Sequence, residues 1–183
     1  DVDGKNMRPV LDGTEDVYPV FVAANQIIFQ RGLNSKTLTL WRTTSESETP
    51  IQLTRENSHH PAASPDGKLV AYYFMDEVNE HESVWRIGLM DSETGAFTGK
   101  IAFPKFVTER QMRWHPSGEF IAQIFYTGEN AKILLLPIAA GKEKIITNLG
   151  KGDVGSFAFS RDGQQIAFSL NTETRDVVSI ADF

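Results

Sequence analysis

One short pattern, a tight turn that opens into an apolar strand, returns along this chain and limits what it can fold into. It reads Ser64-Pro65-Asp66-Gly67-Lys68-Leu69-Val70-Ala71-Tyr72, then His115-Pro116-Ser117-Gly118-Glu119-Phe120-Ile121-Ala122, then Ser160-Arg161-Asp162-Gly163-Gln164-Gln165-Ile166-Ala167-Phe168. A worn copy lies at Val22-Ala23-Ala24-Asn25-Gln26-Ile27-Ile28-Phe29. Proline fixes φ at the second turn position, and Asp, Asn or Gly tolerates the corner where a Cβ is crowded. Each copy therefore predicts a hairpin turn feeding a buried strand, with Gly67 and Gly163 at positive φ. The glycines at 67, 118 and 163 stand 51 and 45 residues apart, a spacing that belongs to propeller blades and similar arrays.

Alternation of apolar and polar residues around these turns predicts repeated units of strand, turn, strand, loop, strand, turn, strand. The first unit has strands at 20–22, 27–30, 37–41 and 51–54. The second begins at Pro61 and continues at 70–74, 84–90 and 99–103. The third has 112–114, 120–125, 133–136 and 144–147, and the last has 157–159, 166–170 and 177–180. Leu38 and Leu40, Ile87 and Leu89, Ile133 and Leu135, and Val178 and Ile180 fall at matching places in the third strands. Phe168, on a central strand, is expected in the core.

Sheets with one apolar face each must stack to bury it, and radial stacking of four-stranded antiparallel blades is a β-propeller. A β-sandwich does not predict copies of one turn at regular intervals. The expectation is an all-β, single-domain chain with four blade equivalents at about 16–56, 57–107, 108–152 and 153–183 plus 1–13. In that scheme the lone strand at 7–11 completes the last blade by pairing with 177–180. The pairing can close within one chain or between two, which would make a homodimer; closure leaves no sheet edge open.

The chain has 183 residues, long enough for a sizeable core. Without a single Cys it has neither disulfides, thiol catalysis nor cysteine-type zinc sites, a usage that suits periplasm and cytoplasm alike. A net charge of −6 argues against nucleic acid, whose binding relies on clustered Lys and Arg. The longest strongly apolar run, 133–140, is too short to span a bilayer, so direct membrane insertion is not expected. Starting at Asp1 without Met or an apolar leader, the chain reads as a processed or excised piece.

The search for chemistry returns little. There is no Gly-x-Ser-x-Gly elbow, His-Glu-x-x-His helix or phosphate-binding glycine loop, so neither catalysis nor a cofactor is expected. His81-Glu82-Ser83-Val84-Trp85 begins like a zinc-protease motif but has Trp where the second His belongs. Asp76, Glu77 and Glu80 beside it read as a solvated acidic loop. Asp1-Val2-Asp3-Gly4 starts like a calcium loop and then lacks the bidentate Glu such loops need, so it reads as a turn. His59-His60 reads as a loop pair ahead of Pro61. His115 takes the place of Ser in the repeated turn, a structural role. Trp41, Trp85 and Trp114 fall on strands, where packing between blades is expected.

The runs Ser64-Pro65-Asp66-Gly67 with Leu69-Val70-Ala71-Tyr72, and Ser160-Arg161-Asp162-Gly163 with Ile166-Ala167-Phe168, resemble the TolB-like, WD40-like (PD40-type) bacterial propeller repeat. Residues 3–13 are similar to that family's link between blades. The resemblance implies a non-catalytic domain for protein or peptide recognition, attached in a larger bacterial protein to a kinase or a transcriptional regulator. The alternative it implies is the accessory propeller of a prolyl-oligopeptidase-like peptidase. Loops that join second to third and fourth to first strands vary most in length, at 30–36, 57–60, 75–83, 108–111 and 126–130. Variable loops on a repeating scaffold tend to carry recognition, which selects His59, His60, His81, Glu82 and Arg110 as partner-binding candidates.

Overall fold

The computed structural model describes residues 5, 9–11, 15–23, 25–32, 37–44, 49–79, 82–102, 112–128, 130–146 and 149–171. The first sheet orders β1 (Asp16–Ala23), β2 (Gln26–Arg31), β3 (Thr39–Thr44) and β4 (Ile51–Gln52) as sequential antiparallel neighbours. The second repeats that order with β5 (Ser58–Ala63), β6 (Leu69–Asn79), β7 (Glu82–Asp91) and β8 (Phe97–Ala102). The third does so with β9 (Met112–Trp114), β10 (Phe120–Thr127), β11 (Asn130–Pro137) and β12 (Lys144–Ile146). A last hairpin pairs β13 (Asp153–Phe159) with β14 (Ile166–Asn171). No helix among the described residues is long and apolar enough to cross a membrane.

The turns form as their sequences dictate. Gly67, Gly118 and Gly163 have φ of 72°, 74° and 71°, and each donates its N–H at 2.9 Å to the carbonyl three residues back. In two copies the Ser hydroxyl bridges the turn. Ser64 Oγ donates to Asp66 Oδ1 at 2.7 Å and accepts from the Leu69 N–H at 2.9 Å. Ser160 Oγ does the same with Asp162 and Gln165 at 2.6 and 2.9 Å. In the third copy His115 substitutes for that Ser, its Nδ1 accepting from the Ser117 N–H at 3.2 Å.

Packing between sheets supplies the core. Ile28, Leu40 and Val22 of the first sheet bury against Val70, Tyr72, Phe74 and Met90 of the second. The other face of the second sheet, with Tyr73, Ile87 and Leu89, meets Trp114, Ile121, Phe125 and Leu134 of the third. Ile124, Ile133 and Leu135 then meet Val154 and Phe157 of the last hairpin. Successive residues on one central strand, such as Tyr72 and Tyr73, thus serve two different neighbours, as period-2 alternation requires. Trp114 Nε1 donates to the Ala62 carbonyl at 2.8 Å, tying the third sheet to the second.

Several expectations need correcting. Phe168 is 38% exposed, because among the described residues β14 has a strand, β13, on one flank only. Residues 9–11 are not in a strand. The remainder of the 7–11 strand, residues 177–180 and the turn at Asp3-Gly4 lie outside the described residues, and among those residues no strand joins the first sheet to the last. Among the described residues there are therefore complete four-stranded blades at the first three positions and a hairpin at the fourth, and these residues do not close a ring.

Equivalent glycines differ in what surrounds them. A Cβ at Gly67 would stand 2.1 Å from the Val22 carbonyl oxygen, whereas at Gly118 it would meet nothing within 4 Å. Both Gly→Ala changes carry a left-handed backbone cost of about 1–2 kcal/mol, and Gly67→Ala adds a clash with backbone of the neighbouring sheet. Chemical denaturation should therefore show Gly67→Ala losing clearly more stability than Gly118→Ala; equal losses would contradict the described seating of the turn.

Candidate binding cleft at the first strands

Across neighbouring sheets β1 approaches β5 and β5 approaches β9, and β1 and β5 carry the same irregularity. Proline has no N–H to give a ladder, and Tyr18-Pro19 in β1 and His60-Pro61 in β5 occupy one register, since Val20 pairs with Ile28 and Ala62 with Ala71. Both strands shift register there. Tyr18 and His60 take φ of 52° and 51°, a left-handed conformation uncommon for residues with a Cβ. Their rings are in tilted contact at 4.2 Å between centroids, joining the first sheet to the second.

His59 lies within this joint at 5% exposure. Its ring stands edge-on to Trp85 at 4.6 Å and near Tyr73 at 5.3 Å. His59 Nδ1 and His60 Nδ1 are 2.7 Å apart, so one imidazole donates and the other accepts. Burial, helped by the neighbouring His60, draws the His59 pKa down from 6.5 to about 4, and burial lowers that of His60 as well. Gln30 Oε1 accepts from the His60 N–H at 3.3 Å. On the next joint the Gln123 amide donates to the Tyr73 hydroxyl, leaving Gln123 Oε1 without a partner among the described residues.

Toward their turn ends the same strands open into a cleft of about 640 Å³. Val20 and Phe21 of β1, Pro61, Ala62 and Ala63 of β5, and Arg113 and Trp114 of β9 line it. The second residues of the repeated turns, Pro65, Pro116 and Arg161, complete the lining. Phe21 is 72% exposed. The volume falls in the range of about 300–1,000 Å³ usual for ligand sites. A smaller apolar cavity of about 300 Å³, lined in part by Val17, Ile27 and Phe29, lies on the face of the first sheet turned away from the second.

The residues singled out from sequence are distributed differently. His59 and His60, read as a loop pair, belong to β5 and touch each other. Glu82 is exposed at the tip of the β6–β7 hairpin, opposite Asn79 and at the end of the strands away from the cleft. His81 and Arg110 lie outside the described residues. The acidic stretch is largely strand, since β6 runs on to Asn79. Asp76 accepts from Lys100 Nζ at 2.6 Å and lies 3.6 Å from Arg86. Among the described residues no three His, Asp or Glu side chains are grouped to hold a metal ion. Sequence reasoning missed the cleft residues Phe21, Arg113 and Arg161; the available signal was Arg161 itself, standing where two other copies of the turn have Pro.

Comparison with solved structures identifies the architecture. TolB from Acinetobacter baumannii superposes with a TM-score of 0.67 at 21% identity, over 91% of this chain and 40% of that one. The fold is that of a TolB-like β-propeller. The propeller domain of the trilobed protease from Pyrococcus furiosus, described as having an open velcro topology, matches with a TM-score of 0.52 at 18% identity over 74% of this chain and 43% of its own. An acylaminoacyl peptidase from Pyrococcus horikoshii matches with 0.55 at 14%, over 83% of this chain and 27% of its own. This TolB-like chain thus spans about two fifths of the length of the Acinetobacter protein. No family model matches the sequence, and no curated protein matches it.

The buried histidine has a pH signature. With a folded pKa lowered from 6.5 to about 4, His59 takes up its proton more readily in the unfolded chain. Its contribution is therefore complete above about pH 6.5 and is lost as pH falls toward about 4. Melting curves between about pH 7 and about pH 4.5 should show a shallower pH dependence for His59→Phe than for the parent. Equal slopes would contradict a buried, neutral imidazole.

Proposed function

We propose that this chain is a non-catalytic propeller segment that recognises a protein or peptide, and that it seats the partner in the cleft at the turn ends of the first strands. The observation that carries this reading is the cleft itself, in whose lining Phe21 stands open to solvent together with Trp114, Pro65 and Pro116. Exposed aromatic and proline surface beside a few polar groups suits a peptide, since it buries apolar area at little conformational cost. The absence of nucleophile and metal motifs from the sequence is in keeping with recognition in place of turnover. Attachment to a kinase or a transcriptional regulator belongs to the same reading, the propeller acting as the sensing part. The peptidase propellers among the structural neighbours favour a second reading, in which the chain screens the entrance to a hydrolase.

The face that bears Glu82, toward which sequence reasoning assigned His59, His60, His81 and Arg110 as well, is the competing location. Selection from a displayed peptide library separates the two faces. Peptides captured by the parent should be held at least about tenfold less well by Phe21→Ser, with its melting temperature unchanged. Glu82→Ala should capture them as the parent does. The reverse pattern would move the site to the hairpin end.

A further inference from the structure

Neighbouring residues of a strand normally turn to opposite faces, yet His59 and His60 bring their Nδ1 atoms within 2.7 Å of each other. The backbone makes this possible. His60 takes φ of 51° and β5 shifts register between His59 and Ala62, which swings the second ring back beside the first. Tyr18 of β1, at φ of 52° in a register shift of its own, sets its ring against His60. This end of the joint between the first and second sheets is thus built on two left-handed residues and an imidazole pair.

Such a pair has a fixed capacity for protons. A hydrogen bond between two Nδ1 atoms holds one hydrogen, and a first added proton enters on the far nitrogen of the donor ring, leaving that bond in place. A second puts hydrogen on both Nδ1 atoms. The bond is then lost, and two like charges face each other where little water reaches. His59 is the less hydrated of the two, at 5% exposure with Trp85 edge-on to it.

The surroundings of the pair do not take up this charge. Around the two rings stand Tyr18 of β1, Gln30 of β2, Tyr73 of β6 and Trp85 of β7; of these only the phenols titrate, and phenols do not ionise in acid. The charged groups of the same elements are engaged or exposed. Asp16 accepts from Arg31 Nε and Nη2 at 2.7 and 2.8 Å, and Asp76 lies between Lys100 and Arg86. Glu77 and Glu82 are exposed toward the hairpin tip, and Arg113 is exposed on β9. Among the described residues, burial acts on both rings and His60 on His59, with no carboxylate among the causes.

We propose that the imidazole pair and Tyr18 form an acid-sensitive latch: once both imidazoles are charged the pair comes apart, His60 gives up its left-handed conformation, and the Tyr18 end of β1 lifts from β5. Relief of two strained φ angles favours the opened form. The opening is local, because Val22, Ile28 and Leu40 stay buried against Val70, Tyr72 and Met90. It reaches the cleft, since Val20 and Phe21 of β1 and Pro61, Ala62 and Ala63 of β5 line it, but the latch does not depend on what the cleft binds. The direction follows from burial. Opening returns the rings to water, where an imidazole titrates near 6.5, whereas the closed joint lowers both and holds His59 at about 4. Between those values the opened fraction rises as pH falls, by up to about tenfold per pH unit for each proton taken up on opening.

The test is NMR of isotope-labelled protein, following both imidazoles and amide protection factors from about pH 7 to about pH 4. The two rings should titrate in coupled steps, and across the last of them the amides of β1 should lose at least about tenfold in protection while those of β10 and β11 keep theirs. His60→Asn supplies a residue that accepts the left-handed conformation and carries no charge, and it should remove most of that loss. If the rings titrate independently, if β1 stays protected once both are charged, or if every sheet loses protection at one pH, the latch is overturned. A loss undiminished in His60→Asn overturns it as well. Should that variant not fold, the two readouts on the parent decide alone.

Discussion

A four-stranded sheet in this chain has two faces to bury and no means of burying either alone, and the contact between neighbouring sheets is the constraint on which everything else rests. Tyr72 faces the first sheet and Tyr73 the third; shifting β6 by a single residue would exchange these faces and break both joints. Burying a side chain of this kind is worth roughly 1.5–3 kcal/mol, so a joint of a dozen such residues outweighs any single hydrogen bond in it. The polar contacts act differently. Trp114 Nε1 on the Ala62 carbonyl and the Gln123 amide on the Tyr73 hydroxyl fix the angle and register at which apolar faces meet, because a small displacement leaves a buried polar group unsatisfied.

The repeated turn serves the same end. Its glycine allows the corner, and in two blades it also allows close approach to a neighbour, the Val22 carbonyl at Gly67 and the His115 ring at Gly163. His115 completes its own turn through Ser117 and meets Phe159 edge-on at 5.0 Å, so one side chain shapes a turn and joins two blades. The turns are thereby held side by side at one end of the sheets, and the cleft is bounded by what they leave between them.

Much of this was legible in the sequence because it repeats. The Asp-Gly turns, the apolar alternation of the central strands and the matching Leu40, Leu89 and Leu135 placed the sheets to within a few residues. The departures from the repeat were harder to read. Pro61 suggested that β5 begins there, whereas the strand starts at Ser58 and accommodates the proline by a register shift with His60 at positive φ. Asp76 looked like part of a solvated loop because its partners, Lys100 and Arg86, lie on other strands. The cleft depends on residues from four sheets, Phe21, Arg113 and Arg161 among them, and nothing local in the sequence says that they meet. Comparing equivalent positions across blades recovers the two arginines; Phe21 is recovered only by the fold.

Amide hydrogen exchange after a change at one joint tests the coupling of the sheets most directly. Trp114→Phe keeps an aromatic ring in the third sheet and removes the donor to the Ala62 carbonyl, a loss of about 0.5–1.5 kcal/mol for a typical hydrogen bond, more if the carbonyl stays dry. If the sheets stand as described, amides of Ala71 and Tyr73 in the second sheet lose protection together with those of Ile121 and Ala122 in the third. Loss confined to the third sheet would show that the blades are stable independently and would contradict the account.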